Sequence, residues 1–172
     1  MLENNKSYNE FLIDIKTQIK SSQQRALLAV NKELILLYWN IGSKILEAQG
    51  KEGWGAKIIE TLSKELKNEF PDLTGFSSRN LKYMRNFAET YRDFLFVQQV
   101  VAQIPWGHNL VLIEKIKSSE QRQWYVLKTI ENGWSRNTLV HQIESDLYSR
   151  QVTVEKTTNF MSQLLFLKIN QH

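Results

Sequence analysis

The sequence predicts an all-α fold: a helical bundle with a long N-terminal helix and, in its first half, a helix-turn-helix arrangement. Three observations predict it. The 172 residues include only two prolines and seven glycines, against many Leu, Ile, Lys, Glu, Gln and Asn. Apolar residues recur at three- and four-residue intervals along most of the chain, the spacing of one helix face. Serines and glycines stand where these periodic stretches would start and stop.

In the first stretch, Tyr8, Phe11, Leu12, Ile15 and Ile19 form a narrow stripe. Beyond the polar run Ser21-Ser22-Gln23-Gln24 the pattern resumes with Leu27, Val30, Leu34, Leu37, Tyr38, Ile41 and Ile45, and Ile35 and Trp39 widen the apolar face. Nothing breaks a helix before Gly50, so residues 24–49 read as one long helix, either continuous with the first or separate from it. So wide a face packs on more than one neighbour, as the spine of the domain or as a dimer seam. The glycine-bearing run Gly50-Lys51-Glu52-Gly53-Trp54-Gly55 lacks a Gly-Lys-Ser/Thr ending and a preceding strand. A helix C-cap and turn is the reading there, not a phosphate-binding loop. Residues 56–70 form the next helix, with Ile58, Ile59, Leu62, Leu66 and Phe70 inward and Lys57, Glu60, Lys64 and Lys67 outward. Pro71-Asp72-Leu73-Thr74-Gly75 stops it and turns the chain.

A basic amphipathic helix follows. Ser77 or Ser78 can cap it by accepting from an amide that the first turn leaves unpaired. With successive residues about 100° apart, Leu81, Met84, Phe87, Ala88 and Tyr91 share one side. Arg79, Lys82 and Asn86 share the opposite side, with Ser78 and Arg85 flanking them. Cations and an amide set opposite a buried stripe suit a major-groove reader, since Arg and Lys neutralise phosphates or pair with guanine and Asn pairs with adenine. The plain alternative is a solvated surface helix. Helix, turn and helix are all present, although the turn of about six or seven residues exceeds the usual three or four.

Residues 93–103 hold the only β-leaning composition, Phe94-Leu95-Phe96-Val97-Gln98-Gln99-Val100-Val101, which fits a connecting helix, an irregular linker or a short strand. Ile104-Pro105-Trp106-Gly107-His108 reads as a turn into a short helix, residues 109–117, with Leu110, Ile113 and Ile116 inward. Ser118-Ser119-Glu120-Gln121 fits a capping box and starts a helix to Asn132 with Trp124, Leu127 and Ile130 buried. Gly133 ends that helix. Ser135 caps another, with Leu139, Ile143 and Leu147 inward and with Arg136 and Asn137 in its first turn as weaker nucleic-acid contacts. After Arg150 the pattern loosens into a linker.

Composition narrows the function classes. Apolar residues at 42% and aromatics at 11% suffice for a core and exclude a disordered chain. A net charge of +4 permits an acidic partner without demanding one. With no cysteine there is no disulfide, no thiol nucleophile and no thiolate zinc site. No signal peptide opens the chain and no apolar run nears the roughly 20 residues of a membrane span, so a soluble, cytoplasmic protein is expected. His108, His141 and His172 lack metal-ligand spacing, and His108 beside Trp106 suits capping or packing. No Gly-x-Ser-x-Gly elbow occurs. Glu60, Glu65, Glu114 and Glu144 sit on amphipathic helices as solvated carboxylates. No Asp/Glu-x-Lys follows Pro71-Asp72, so the Mg²⁺-holding pattern of one nuclease fold is incomplete. No catalytic residue, metal or cofactor is expected.

Four ordered stretches carry a resemblance. They are Leu36-Leu37-Tyr38-Trp39-Asn40-Ile41-Gly42; Gly75-Phe76-Ser77-Ser78-Arg79-Asn80-Leu81-Lys82-Tyr83-Met84-Arg85 with Phe87; Ile104-Pro105-Trp106-Gly107-His108-Asn109; and Trp134-Ser135-Arg136-Asn137-Thr138-Leu139 leading to Leu147-Tyr148-Ser149-Arg150. Together they resemble the N-terminal domain of the YhcG-like proteins, bacterial proteins whose C-terminal half is a PDDEXK-type nuclease. The resemblance implies a helical, winged-helix-like domain over residues 1–150 that binds double-stranded DNA and positions a nuclease. Residues 151–172 are then a linker remnant or truncated tail, too short for a PDDEXK core, and nuclease activity is not carried over. Expected partners are duplex DNA, a second copy of the chain and a separate nuclease subunit, with no membrane. The alternative function is a protein–protein or dimerisation module that recruits a nuclease or other partner.

Overall fold

One helix, α1 (Leu2–Glu52), runs through every polar interruption at the start of the chain. The computed structural model describes residues 2–55 and 57–155, in two compact units that meet in sequence at Trp106 and Gly107. Among the described residues all regular structure is helical and no strand occurs. Gly50 does not stop α1 as the sequence suggested. A glycine inside a helix costs only about 1 kcal/mol relative to alanine, and the stop falls at Gly53, whose φ of 62° is the left-handed conformation that ends helices.

In the first unit α1 is followed by α2 (Lys57–Glu69), α3 (Ser78–Thr90), α4 (Phe94–Gln99) and a 3-10 turn (Val101–Gln103). The β-leaning segment is therefore helical. The Asp93 carboxylate caps it by accepting from Leu95 N at 3.0 Å and Phe96 N at 3.2 Å, which satisfies amides that helix starts leave open. Tyr38, Ile45, Ile59, Phe76, Leu81 and Met84 make the core, with Ile41, Ile58, Leu62, Leu66 and Trp106 packed against it. The sequence placed Phe70 inward, but α2 ends one residue earlier and Phe70 is exposed. On α1 the core-facing residues are Ile35, Tyr38, Gly42 and Ile45, whereas Leu27, Val30, Leu34 and Leu37 are exposed. Several polar side chains fix the packing. Asn31 Nδ2 donates to Ala102 O and Ile104 O at 3.0 and 3.2 Å, Trp39 Nε1 to Tyr91 O at 2.6 Å, and Ser63 Oγ to Phe76 O at 2.6 Å.

Helix α5 (Trp106–Lys115), whose first residue belongs to the first unit and the rest to the second, starts earlier than the predicted Asn109, because Trp106, Gly107 and His108 are already helical. Its buried residues are His108, Asn109, Val111 and Leu112, with Ile116 just beyond; Leu110 and Ile113 are half-buried. Then come α6 (Ser119–Asn132), α7 (Arg136–Glu144) and helical residues 147–155. Ser118 Oγ caps α6 by accepting from Gln121 N, and Gly133 ends it at φ 60°. The buried face of α6 is Arg122, Tyr125, Val126 and Thr129; Trp124 and Ile130 are half-buried and Leu127 is exposed, so the predicted inner face is rotated. Of the predicted linker and tail, residues 151–155 continue the last helix, and 156–172 lie outside the described residues.

Candidate nucleic-acid interface

Helix α3 forms where its sequence says it should. Ser77, in extended conformation, is the N-cap, and its Oγ accepts from Asn80 N at 3.1 Å. Ser78 is the first helical residue and half-buried. Leu81, Met84 and Phe87 are fully buried, with Ala88 and Tyr91 nearly so, which anchors one whole side of the helix. Burial of side chains this size stabilises by about 1.5–3 kcal/mol each. That side cannot turn outward.

The opposite side carries the candidate contacts. Arg79 and Lys82 are exposed, while Arg85 and Asn86 are half-buried. Lys82 enters no ion pair among the described residues. Arg79 Nη2 donates to the Tyr83 hydroxyl at 3.3 Å, and its guanidinium lies 5.6 Å from the Tyr83 ring centroid, a cation–π distance. Arg85 Nη2 donates to Asn86 Oδ1 at 3.3 Å, so the amide oxygen already accepts from its neighbour. Tyr83 was not among the contact residues expected from the sequence. Its position four residues after Arg79 is the signal that could have found it.

The start of α3 is held by a knot of polar atoms that the sequence did not reveal. Asn80 Nδ2 donates to Gly75 O at 2.6 Å, and Trp106 Nε1 donates to Asn80 Oδ1 at 2.8 Å. Trp106 also stacks edge-on against Tyr38 at 4.9 Å and Phe87 at 5.2 Å. Burial pushes the Tyr38 phenol above its ordinary pKa, with a hydrogen bond to Asn80 pulling the other way. Gly75 has a φ of 101°, and a Cβ there would stand 2.3 Å from the Tyr38 hydroxyl, so only glycine fits. These residues set where Ser78 and Arg79 leave the protein surface.

Arg136 and Asn137, the other candidates, belong to the second unit and are both exposed in the first turn of α7. Ser135 Oγ caps this helix by accepting from Thr138 N at 3.1 Å. The Arg136 side chain passes Gly107, where a Cβ would meet its Cδ at 3.6 Å. His108 packs as expected, its Nε2 at 2.8 Å from Trp134 O; a carbonyl only accepts, so Nε2 carries the hydrogen. Among the described residues no group of three or more His, Asp and Glu could hold a metal ion, and no helix is long and apolar enough to cross a membrane.

The family model described as the DUF1016 N-terminal domain matches residues 14–150, an N-terminal domain rather than a catalytic one. This is the N-terminal domain of the YhcG-like family. No curated protein and no solved structure matches the chain.

Proposed function

Because the chain belongs to the DUF1016 N-terminal domain family, we propose that it is a double-stranded DNA-binding module that positions a PDDEXK nuclease. The observation that carries the reading is the asymmetry of α3. Leu81, Met84 and Phe87 fix one side in the core, and Arg79 and Lys82 stand in solvent on the other. In this reading α2 and α3 are the helix-turn-helix pair of a winged-helix-like module, with α3 as the recognition helix. Arg79, Lys82 and Arg85 meet phosphates or guanine edges, Asn86 reads adenine, and Ser78 donates to a phosphate at the helix start. Arg136 and Asn137 add contacts at the start of α7. Chemistry is left to a nuclease half on a longer chain or a separate subunit in the cytoplasm.

Affinity for duplex DNA measured at several salt concentrations tests it. About four phosphate-contacting cations give a log–log slope near −3 to −4. Arg79→Ala with Lys82→Ala should weaken binding by one to two orders of magnitude and flatten that slope by about 2. Unchanged binding in this exposed double variant removes α3 from the account. The second reading, an interaction module, is favoured by the apolar side chains that α1 leaves in solvent, and the two are compatible.

A further inference from the structure

One residue on the outward side of α3 carries the opposite charge to its neighbours there. Glu89 is the single acidic residue of α3, and it is exposed. Arg85 stands four residues before it and Arg92 three after, yet Glu89 enters no ion pair among the described residues. The last turn of α3 holds no basic residue, so this carboxylate also faces the negative end of the helix dipole, an unfavourable place for it. Neither packing nor helix electrostatics accounts for an acid here, and a surface that only gripped phosphates would be weakened by it.

Its direction on the helix separates a base contact from a phosphate contact. At about 100° per residue, Arg79 and Arg85 lie about 60° to either side of Lys82. Asn86 and Glu89 lie about 40° and about 20° from Lys82, between the two arginines. Leu81, Met84 and Phe87 hold the far side in the core. A helix laid in a major groove with Lys82 towards the floor sets Arg79 and Arg85 against the two walls, where phosphates run. Lys82, Asn86 and Glu89 then follow one another along the floor, where the base edges are. A carboxylate is tolerated on that floor only opposite a hydrogen-bond donor. Guanine and thymine offer acceptors there, adenine sets its N7 acceptor beside its amino group, and cytosine presents its N4 amino donor alone.

Resting on the reading of α3 as a DNA-recognition helix, we propose that Glu89 is a specificity-determining residue that accepts a hydrogen bond from the N4 amino group of a cytosine in the major groove. Lys82 and Glu89 are seven residues apart, about 10.5 Å along the axis, or about three base-pair steps of about 3.4 Å. The cytosine therefore lies about three steps from the base that Lys82 meets, with the adenine read by Asn86 between them. Opposite any other base the carboxylate meets an acceptor or loses its donor, so Glu89 rejects wrong sequences as well as holding the right one.

Selection of bound sequences from a pool of short randomised duplexes, on the full chain and its variants, tests the assignment. Duplexes retained by the parent should share a cytosine, preferred over other bases at that position by about tenfold. Glu89→Ala should lose the preference at that position alone, while affinity for duplexes lacking the cytosine rises, because a like charge has gone. Glu89→Gln should move the preference to adenine, since a carboxamide pairs with both N6 and N7 of that base. Glu89 is exposed, so helical content and thermal midpoint should match those of the parent in both variants. A parent that binds duplex DNA without preferring cytosine anywhere overturns the proposal. So does a Glu89→Ala variant that keeps every preference of the parent, or that gains affinity equally on all sequences. Either result leaves α3 as a DNA-binding helix if Arg79→Ala with Lys82→Ala still weakens binding. A parent that retains no duplex at all overturns that reading and this assignment together.

Discussion

Gly42 decides how closely two helices approach. A Cβ on it would stand 1.9 Å from the Met84 carbonyl oxygen and 2.4 Å from the carbonyl carbon, both backbone atoms that cannot swing aside. α1 therefore lies directly on the backbone of α3 at this point, and α3 carries the candidate cations. Two effects compete in Gly42→Ala. Alanine favours helix by about 1 kcal/mol, but a methyl group forced into backbone must part the helices, at typically 1–3 kcal/mol or more. With no flexible side chain to yield, the clash wins. The expected outcome is a net loss of about 1–2 kcal/mol in urea unfolding, or roughly 2–8 °C in Tm. A variant as stable as the parent would mean that the contact is looser than it stands here.

Elements differ in how plainly they could be read. α3 was legible because three independent signals agree: Ser77 caps it, Leu81, Met84, Phe87, Ala88 and Tyr91 fall on one face, and Arg79 and Lys82 fall on the other. α6 was not, because one of its most buried residues is charged. Arg122 is 8% exposed, and its Nη2 donates to Ile116 O at 2.7 Å and Lys117 O at 3.1 Å, carbonyls at the end of α5 that lack helical partners. A pattern search counts arginine as polar and so turns the helix towards Leu127, which is exposed. The knot of Tyr38, Asn80 and Trp106 escaped for another reason: Asn80 and Trp106 are 26 residues apart, and nothing local announces their bond. Likewise, spacing showed that α1 had too many apolar residues for one face but not which face met the core. Arg122→Met should cost about 1–3 kcal/mol, since it keeps the apolar stem and leaves two carbonyls without a donor. Chemical unfolding of Arg122→Met beside Arg122→Lys checks this, and a methionine variant equal to the parent would show that water replaces the guanidinium without loss.

At the scale of the molecule each unit buries tyrosine rings beneath other side chains, and this ties its stability to pH at the alkaline end. Burial pushes the phenols of Tyr38 in the first unit and Tyr125 in the second above the ordinary value of a tyrosine, about 10. At Tyr125 a hydrogen bond from Tyr148 N opposes the shift, as the Asn80 bond does at Tyr38. A folded state that holds a proton more tightly than the unfolded chain gains stability that is fully present below pH about 10. That contribution is lost as pH rises through the folded pKa values, because the unfolded chain ionises first. Lysines discharge in the same window, so the raw profile mixes two causes. The difference between the parent and a Tyr38→Phe, Tyr125→Phe double variant isolates the phenols, since phenylalanine keeps the rings and removes both protons. Near neutral pH the double variant should be less stable, having lost the hydroxyl bonds to Asn80 and Gln142. Above pH 10 its urea midpoint should fall less steeply than that of the parent, and the two curves should converge. Parallel curves across that range would mean that both hydroxyls ionise in the folded protein as freely as in the unfolded chain, and that neither unit encloses its tyrosine tightly enough to feel the charge.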